Sequence, residues 1–142
     1  QAQDFRDECD ALHGVMAGLA EAAFDTPTAF KGWTFNTILR HLHLWNRAAE
    51  QSLREPERFA EFVRRMKDYI ATGRLTDFEA ATLQGLAGRA LFETWHDGYR
   101  QLAEDFSTMD PALRLQWAGP SMSARSSITE PMRGSTMRDI RR

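Results

Sequence analysis

The spacing of apolar residues near the N-terminus is the feature that most constrains the fold. Apolar side chains recur there at alternating steps of four and three residues, which is the period of one face of an α-helix. No run of alternating apolar and polar residues, the pattern of a half-buried strand, occurs in the chain. The spacing therefore predicts a bundle helix over residues 3 to 24, with a seam formed by Phe5, Cys9, Leu12, Met16, Leu19 and Ala23.

Similar apolar periods predict three more helical segments. Thr34 suits the N-cap of a second helix that runs to about Arg54. Pro56 then ends or sharply bends this helix, because proline lacks an amide hydrogen and its ring clashes with the preceding turn. A third amphipathic segment follows over residues 59 to 70. Beyond it, Thr76 and Glu79 have the spacing of a capping box, and the apolar period predicts one long helix from there to about residue 109.

The pattern in the C-terminal part of the sequence predicts one more, shorter helix. Ser121 or Ser123 would cap it, and Pro131 interrupts it after two turns. The fold class is therefore all-α, an up-down-up-down four-helix bundle without a sheet, whose fourth helix is short or truncated. Residues 1 to 130 would form the bundle domain, and residues 131 to 142 an atypical, disordered tail rich in arginine.

The composition limits the classes of partner. A chain of 142 residues forms one domain, and its net charge of −2 argues against binding to nucleic acid or to a membrane surface. The single cysteine, Cys9, excludes a disulfide within the chain and a zinc site built from cysteines, which indicates a reducing compartment. With no run of about 18 apolar residues and no signal peptide at the start, we expect a cytoplasmic protein that acts on a small-molecule substrate.

One histidine is predicted to point into the bundle. On a helical wheel of the second helix, His41 lies about 60° from Ile38 and inside the apolar stripe, whereas His43 lies about 140° away and faces outward. A buried imidazole needs a partner, because an unpaired polar group in an apolar interior costs roughly 1–3 kcal/mol. Two interpretations of His41 follow from its position: a core histidine bonded to an acceptor, or a ligand of a metal ion.

The remaining histidines and the tryptophans are predicted to have structural roles. His13 lies beside the seam of the first helix and is expected to be partly exposed. His96 projects about 150° from the stripe of its helix, which is typical of a surface histidine. Aromatic residues at helical spacing are usually core residues rather than substrate contacts, and this applies to Trp33, Trp45, Trp95 and Trp117.

Four groups of residues, in this order and spacing, resemble a known family. They are residues 26–28 with 32–34, residues 41–42 with 45–46, residues 86–91 with 95, and residues 117–126. The resemblance is to the DinB/YfiT-like helical bundles, and within them to proteins related to the metal-binding domain of mycothiol-dependent maleylpyruvate isomerase. It covers nearly all of residues 1 to 130.

The resemblance implies a metal site with His41 as a ligand. In such proteins the histidine of the Trp-Thr…His-Leu motif binds a divalent metal, zinc or nickel, and a low-molecular-weight thiol such as mycothiol serves as cofactor. A Glu-x-x-x-His or His-x-x-x-His pair on the fourth helix supplies two more ligands. That pair would fall near positions 134 and 138, where this chain has Gly134 and Arg138, and no histidine follows His96. His41 is therefore the only site residue that carries over, and the catalytic and thiol-binding residues stay unassigned.

Two functions remain open at this stage. The resemblance implies a metal-dependent and thiol-dependent isomerase or transferase with part of its metal site missing, through truncation, a frame shift or genuine loss. The alternative is a non-catalytic helical bundle that acts through dimerisation or small-ligand binding, and the missing ligand pair supports it. An incomplete fourth helix would also leave apolar faces uncovered, which predicts a homodimer. DNA binding is not supported, because the chain has no basic stripe with interleaved aromatic residues.

Overall fold

Helix α2 lies at the centre of the molecule, and the other helices pack on two of its sides. The computed structural model describes residues 2–110, 112, 114–115 and 122–123. A 3-10 helix, Glu21–Asp25, lies between the first two α-helices. The α-helices of the described chain are α1 (Ala2–Met16), α2 (Phe35–Arg54), α3 (Pro56–Ile70), α4 (Leu75–Thr82) and α5 (Gly88–Ser107). Apart from one short ladder, the described residues are helical, so the class is all-α, as the apolar periods predicted.

Two apolar clusters form on opposite sides of α2. The first core lies between α1, α2 and α5, and the second core lies between α2, α3 and α4. The first core contains Phe5, Cys9, Leu12, Met16, Phe24, Ile38, Leu39, Leu42, Leu91, Phe92, Trp95, Tyr99, Leu102, Ala103 and Phe106. The second contains Leu44, Trp45, Ala48, Phe59, Phe62, Met66, Phe78 and Leu83. Because α2 contributes to both cores, it is buried over most of its circumference.

The boundaries of α2 confirm the predicted start and stop signals. The hydroxyl oxygen of Thr34 accepts a hydrogen bond from the amide of Thr37 at 3.1 Å, which is the N-cap arrangement expected from the sequence. At the other end, α2 stops at Arg54 and α3 starts with Pro56 as its first helical residue. Proline is tolerated there because the first amide of a helix has no partner within it.

The first helix is shorter than predicted. It ends at Met16 rather than near residue 24, and Phe24 reaches the first core from the 3-10 helix instead. The carbonyl oxygens of Ala17 and Leu19 accept hydrogen bonds from the Arg89 guanidinium, at 3.2 and 2.8 Å. Since a partner on α5 satisfies these carbonyls, the chain can turn at Gly18 without burying unpaired backbone groups.

The prediction of one long helix from residue 76 to about residue 109 is also wrong, because the segment forms two helices, α4 and α5. The backbone turns between them with Gly85 and Gly88 at positive φ, 73° and 60°. The Gly88 amide donates to Asn36 Oδ1 at 2.7 Å, and the Arg89 amide donates to Glu21 Oε2 at 3.1 Å. These residues from elsewhere in the chain cap the start of α5, and an apolar period within one segment carries no information about them.

The prediction of a capping box at Thr76 and Glu79 is also wrong. Helix α4 starts at Leu75 after Arg74, so Thr76 lies inside the helix and no side chain caps its N-terminus. The guanidinium of Arg74 instead donates to the carboxylate of Asp77, at 3.1 Å from Nε. Glu79 is buried and does not turn back toward the helix start.

A small antiparallel ladder corrects the prediction that the chain has no sheet. Strand β1 (Arg114–Leu115) pairs with strand β2 (Met122–Ser123), with Arg114 opposite Ser123. Strands of two residues are too short for an alternating pattern to reveal. The other residues of the predicted fourth helix, including Ser121 and Pro131, lie outside the described residues, as does the predicted tail. None of the helices in the described part of the chain is long and apolar enough to cross a membrane.

Candidate functional site

A buried carboxylate on α4 pairs with the histidine that the sequence singled out. His41 Nδ1 lies 2.6 Å from Glu79 Oε1, and the indole Nε1 of Trp45 donates to the same oxygen at 3.0 Å. His41 and Trp45 are one helical turn apart on α2, so both side chains reach one carboxylate on the facing helix. The side chain of Glu79 is 1% exposed and that of His41 is 14% exposed. His41 therefore points inward, as predicted, with part of its ring still accessible.

The contact with Glu79 selects the tautomer of the His41 ring. A carboxylate accepts hydrogen bonds, so Nδ1 carries the proton in the neutral imidazole and Nε2 has the free lone pair. Holding one ring nitrogen by a carboxylate is how proteins orient histidines that bind metals. The ring also lies edge-on to the indole of Trp33, with centroids 5.6 Å apart, and near that of Trp45. The two indoles and the carboxylate fix its orientation.

The described residues fit one metal ligand rather than a whole ligand set. Besides His41 Nε2, the site has the second oxygen of Glu79, Oε2, which is buried and has no hydrogen-bond partner among the described residues. Within the part of the chain that the structure describes, no group of three or more histidine, cysteine, aspartate or glutamate side chains could hold a metal ion. A catalytic zinc site needs three protein ligands. Further ligands would have to come from outside these residues.

The sequence predicts that a buried His41 has an acceptor or a metal ion as partner, but it does not identify Glu79 as that acceptor. Its spacing from Thr76 predicts a capping box instead. A usable signal is present, because Leu75, Glu79 and Leu83 follow one another at steps of four and so lie on the same face of the α4 segment. An acidic residue in the middle of an apolar face is predicted to have a buried partner, and His41 is that partner.

The prediction that His43 faces outward is wrong. Its side chain is only 5% exposed and lies against α5, where a Cβ added to Gly98 would be 3.5 Å from His43 Nδ1. Burial, with a smaller contribution from the charge of Arg47, lowers the pKa of His43 to about 4. The helical wheel failed because it assumed a single apolar stripe, whereas α2 contacts helices on two sides.

His13 and His96 form a separate contact between α1 and α5. Their ring centroids are 4.2 Å apart, and His13 also stacks on Phe92 at 4.7 Å. Partial burial, followed by the charge of His96, lowers the pKa of His13. His13 is partly exposed, as predicted, and His96 is half-buried against this contact rather than fully at the surface.

The tryptophans that the structure describes fit their predicted structural roles, and the cysteine is buried as well. Trp45 and Trp95 are buried core residues, Trp33 is half-buried, and Trp117 lies outside the described residues. Cys9 is fully buried in the first core, and burial together with the neighbouring Asp10 and Glu8 charges raises the pKa of its thiol. A thiol in that state is a packing group and not a nucleophile.

Comparison with known proteins agrees with the resemblance seen in the sequence. The family model described as "Mycothiol maleylpyruvate isomerase N-terminal domain" matches residues 5–137. Two uncharacterised proteins, from two strains of Mycobacterium tuberculosis, are each 29% identical to the chain over 126 residues. The alignment covers 89% of this chain and 48% of each relative, so the chain spans about half the length of the curated relatives it matches. No solved structure matches significantly. The chain therefore belongs to the mycothiol maleylpyruvate isomerase N-terminal domain family.

Proposed function

We propose that this domain belongs to a metal-dependent and thiol-dependent isomerase or transferase, and that His41 is one of its metal ligands. The observation that carries the proposal is the His41–Glu79 contact of 2.6 Å, which orients the ring with Nε2 free. The family match over residues 5–137 supports the reaction class.

The residues around His41 have distinct roles in this proposal. Glu79 sets the tautomer and direction of the ring, and the Trp45 indole holds the carboxylate in place through Oε1. Trp33 covers one edge of the ring and keeps water from part of it. A bound zinc or nickel ion would lower the pKa of a thiol or water attached to it and so supply a nucleophile near neutral pH.

The second candidate function is a non-catalytic helical bundle that binds a small ligand or a second copy of itself. The observation that favours it is the lack of a three-ligand group in the described part of the chain. In this case the His41–Glu79 contact serves only to satisfy two buried polar groups. The two candidates differ in whether the chain binds metal through His41.

Calorimetric titration of the 142-residue chain with zinc and nickel distinguishes the two. We expect weak binding by the parent chain and none by His41→Ala. Glu79→Gln should weaken binding by roughly 10–100-fold, because the carboxylate orients the ligand. His96→Ala is the matched control, since that histidine contacts His13 and should leave binding unchanged. Binding that survives His41→Ala would show that the ligand is wrongly chosen, and no binding by the parent chain would favour the second candidate.

A restored ligand pair gives an independent test. In the double variant Gly134→Glu/Arg138→His, the acid and the histidine occupy the positions where the resemblance places the fourth-helix pair. We expect this variant to bind zinc more tightly than the parent chain, and the gain to vanish when His41→Ala is added. Equal affinity in the parent and the double variant would show that the missing ligands do not belong at these positions.

The arrangement and assembly of the domain are also proposals. The helices α1, α2 and α5, which enclose the first core, support an up-down-up-down four-helix bundle with residues 1 to 130 as its domain. The exposed apolar side chains of Tyr69 and Ile70 on α3 support a homodimer. The buried free thiol of Cys9 is compatible with the cytoplasm. Sedimentation at tens of micromolar that shows only monomer would contradict the dimer.

A further inference from the structure

A groove separate from the His41 site lies between α2, α3 and the end of α4. Its volume is about 310 Å³, which is within the range of small-molecule sites. Leu44, Ala48 and Phe62 line its floor, and because they are buried in the second core, at 3%, 1% and 8% exposed, they present little apolar surface. Neither His41 nor Glu79 lines it. The groove therefore has the volume of a small organic molecule and an apolar floor of limited area.

The rim of the groove is strongly basic. Arg47 on α2 and Arg58 and Arg65 on α3 all line it, together with one acidic residue, Glu61. Three guanidinium groups around an apolar floor repel one another and favour a negatively charged ligand. Gln51 also lines the groove and adds an uncharged hydrogen-bond donor.

The ion pairs of the rim leave two of these arginines uncompensated. Arg58 Nη1 lies 2.8 Å from the carboxylate of Glu55, and the carboxylate of Glu61 pairs with Arg64, which does not itself line the groove. Among the residues that the structure describes, Arg47 and Arg65 have no carboxylate within ion-pair distance. Their two positive charges face a cavity whose floor is apolar.

We propose that this groove binds a small organic anion, a carboxylate attached to an apolar body. The guanidinium groups of Arg47 and Arg65 would bind the carboxylate, because a guanidinium donates two parallel hydrogen bonds to it. The apolar body would lie on the small exposed parts of Leu44 and Phe62, so the carboxylate would supply most of the affinity. The proposal rests on the charge and shape of the groove and is independent of the metal site.

Benzoate is a suitable probe, and benzamide is its uncharged counterpart of the same shape. Titration of the 142-residue chain in low salt, followed by amide chemical shifts and calorimetry, should show saturable benzoate binding at millimolar concentrations. Benzamide should bind about tenfold more weakly or not at all, since charge-assisted hydrogen bonds are lost. Equal binding of the two probes, or no benzoate binding at roughly 10 mM, would overturn the proposal.

Substitutions then locate the site. Arg47→Gln and Arg65→Gln should each weaken benzoate binding by about tenfold. Arg74→Gln is the matched control, because it removes the same charge while neither Arg74 nor its ion-pair partner Asp77 lines the groove. It should leave the affinity unchanged. If all three variants weaken binding equally, the effect is one of overall charge and the groove is not the site. If neither Arg47→Gln nor Arg65→Gln weakens it, benzoate binds elsewhere and the assignment is wrong.

Discussion

The first and second cores share helix α2 but differ in what they enclose. The first core is almost wholly apolar, and the polar groups at its margin, Asn36 and Glu21, are occupied in capping α5. The second core is smaller and borders both the Glu79 carboxylate and the arginine-rimmed groove. Polar groups are costly to bury unless a neighbour satisfies them. The comparison indicates that the first core stabilises the domain and that the second core carries its candidate binding sites.

The same substitution on both sides of α2 tests this comparison most strongly. Leu39 lies in the first core and Leu44 in the second, five residues apart on one helix. We expect Leu39→Ala to lower the free energy of unfolding by about 3–5 kcal/mol and Leu44→Ala by about 2–3 kcal/mol. The difference arises because Leu44 lines the groove, so water can fill the space that the smaller side chain leaves. Chemical denaturation of both variants measures it, and equal losses would break the distinction between the cores.

The pH dependence of stability tests the burial of His43 between α2 and α5, on the side of α2 that faces the first core. His43 has a folded-state pKa of about 4, below the usual 6.5, so the unfolded chain binds a proton more readily between these values. The stability due to neutral His43 is therefore full above pH 6.5 and is lost as the pH falls toward 4, by roughly 3 kcal/mol.

The variant His43→Leu separates this effect from the titration of carboxylates. It has no ionisable group at this position, so its free energy of unfolding should fall less between pH 6.5 and 4 than that of the parent chain. Urea denaturation of both proteins across that range gives the difference. Parallel curves would show that His43 is not held neutral by burial against α5.

A substitution in the turn before α5 tests how much the Glu21 cap at the start of this helix stabilises the domain. Gly88 has φ of 60°, and an added Cβ would lie 1.8 Å from Glu21 Oε1, so Gly88→Ala must displace the carboxylate that caps the Arg89 amide. We expect a loss of about 1–3 kcal/mol from backbone strain and the lost cap. Gly85→Ala is the control, because Gly85 also has positive φ but open space around it, and it should cost about 1 kcal/mol. Similar melting temperatures for the two variants would show that Glu21 contributes nothing to the cap.

The candidate site was predictable only in part. The helical wheel placed His41 inward correctly, because that prediction needs only the position of one residue on its own helix. Glu79 lies 38 residues away and on another helix, so its pairing with His41 depends on how α4 packs against α2. His43 shows the opposite error. A wheel with one apolar stripe cannot describe a helix that has neighbours on two sides.

The sequence by itself determined the helical class, the N-cap of α2 at Thr34, the end of α2 before Pro56 and the family, because these depend on local periods, backbone chemistry and ordered motifs. Only the tertiary structure decided the break between α4 and α5, the burial of His43 and the His41–Glu79 contact. In each of these cases the deciding partner is remote in the chain. Side chains such as Asn36 and Glu79 satisfy polar groups that no local pattern can show to be satisfied.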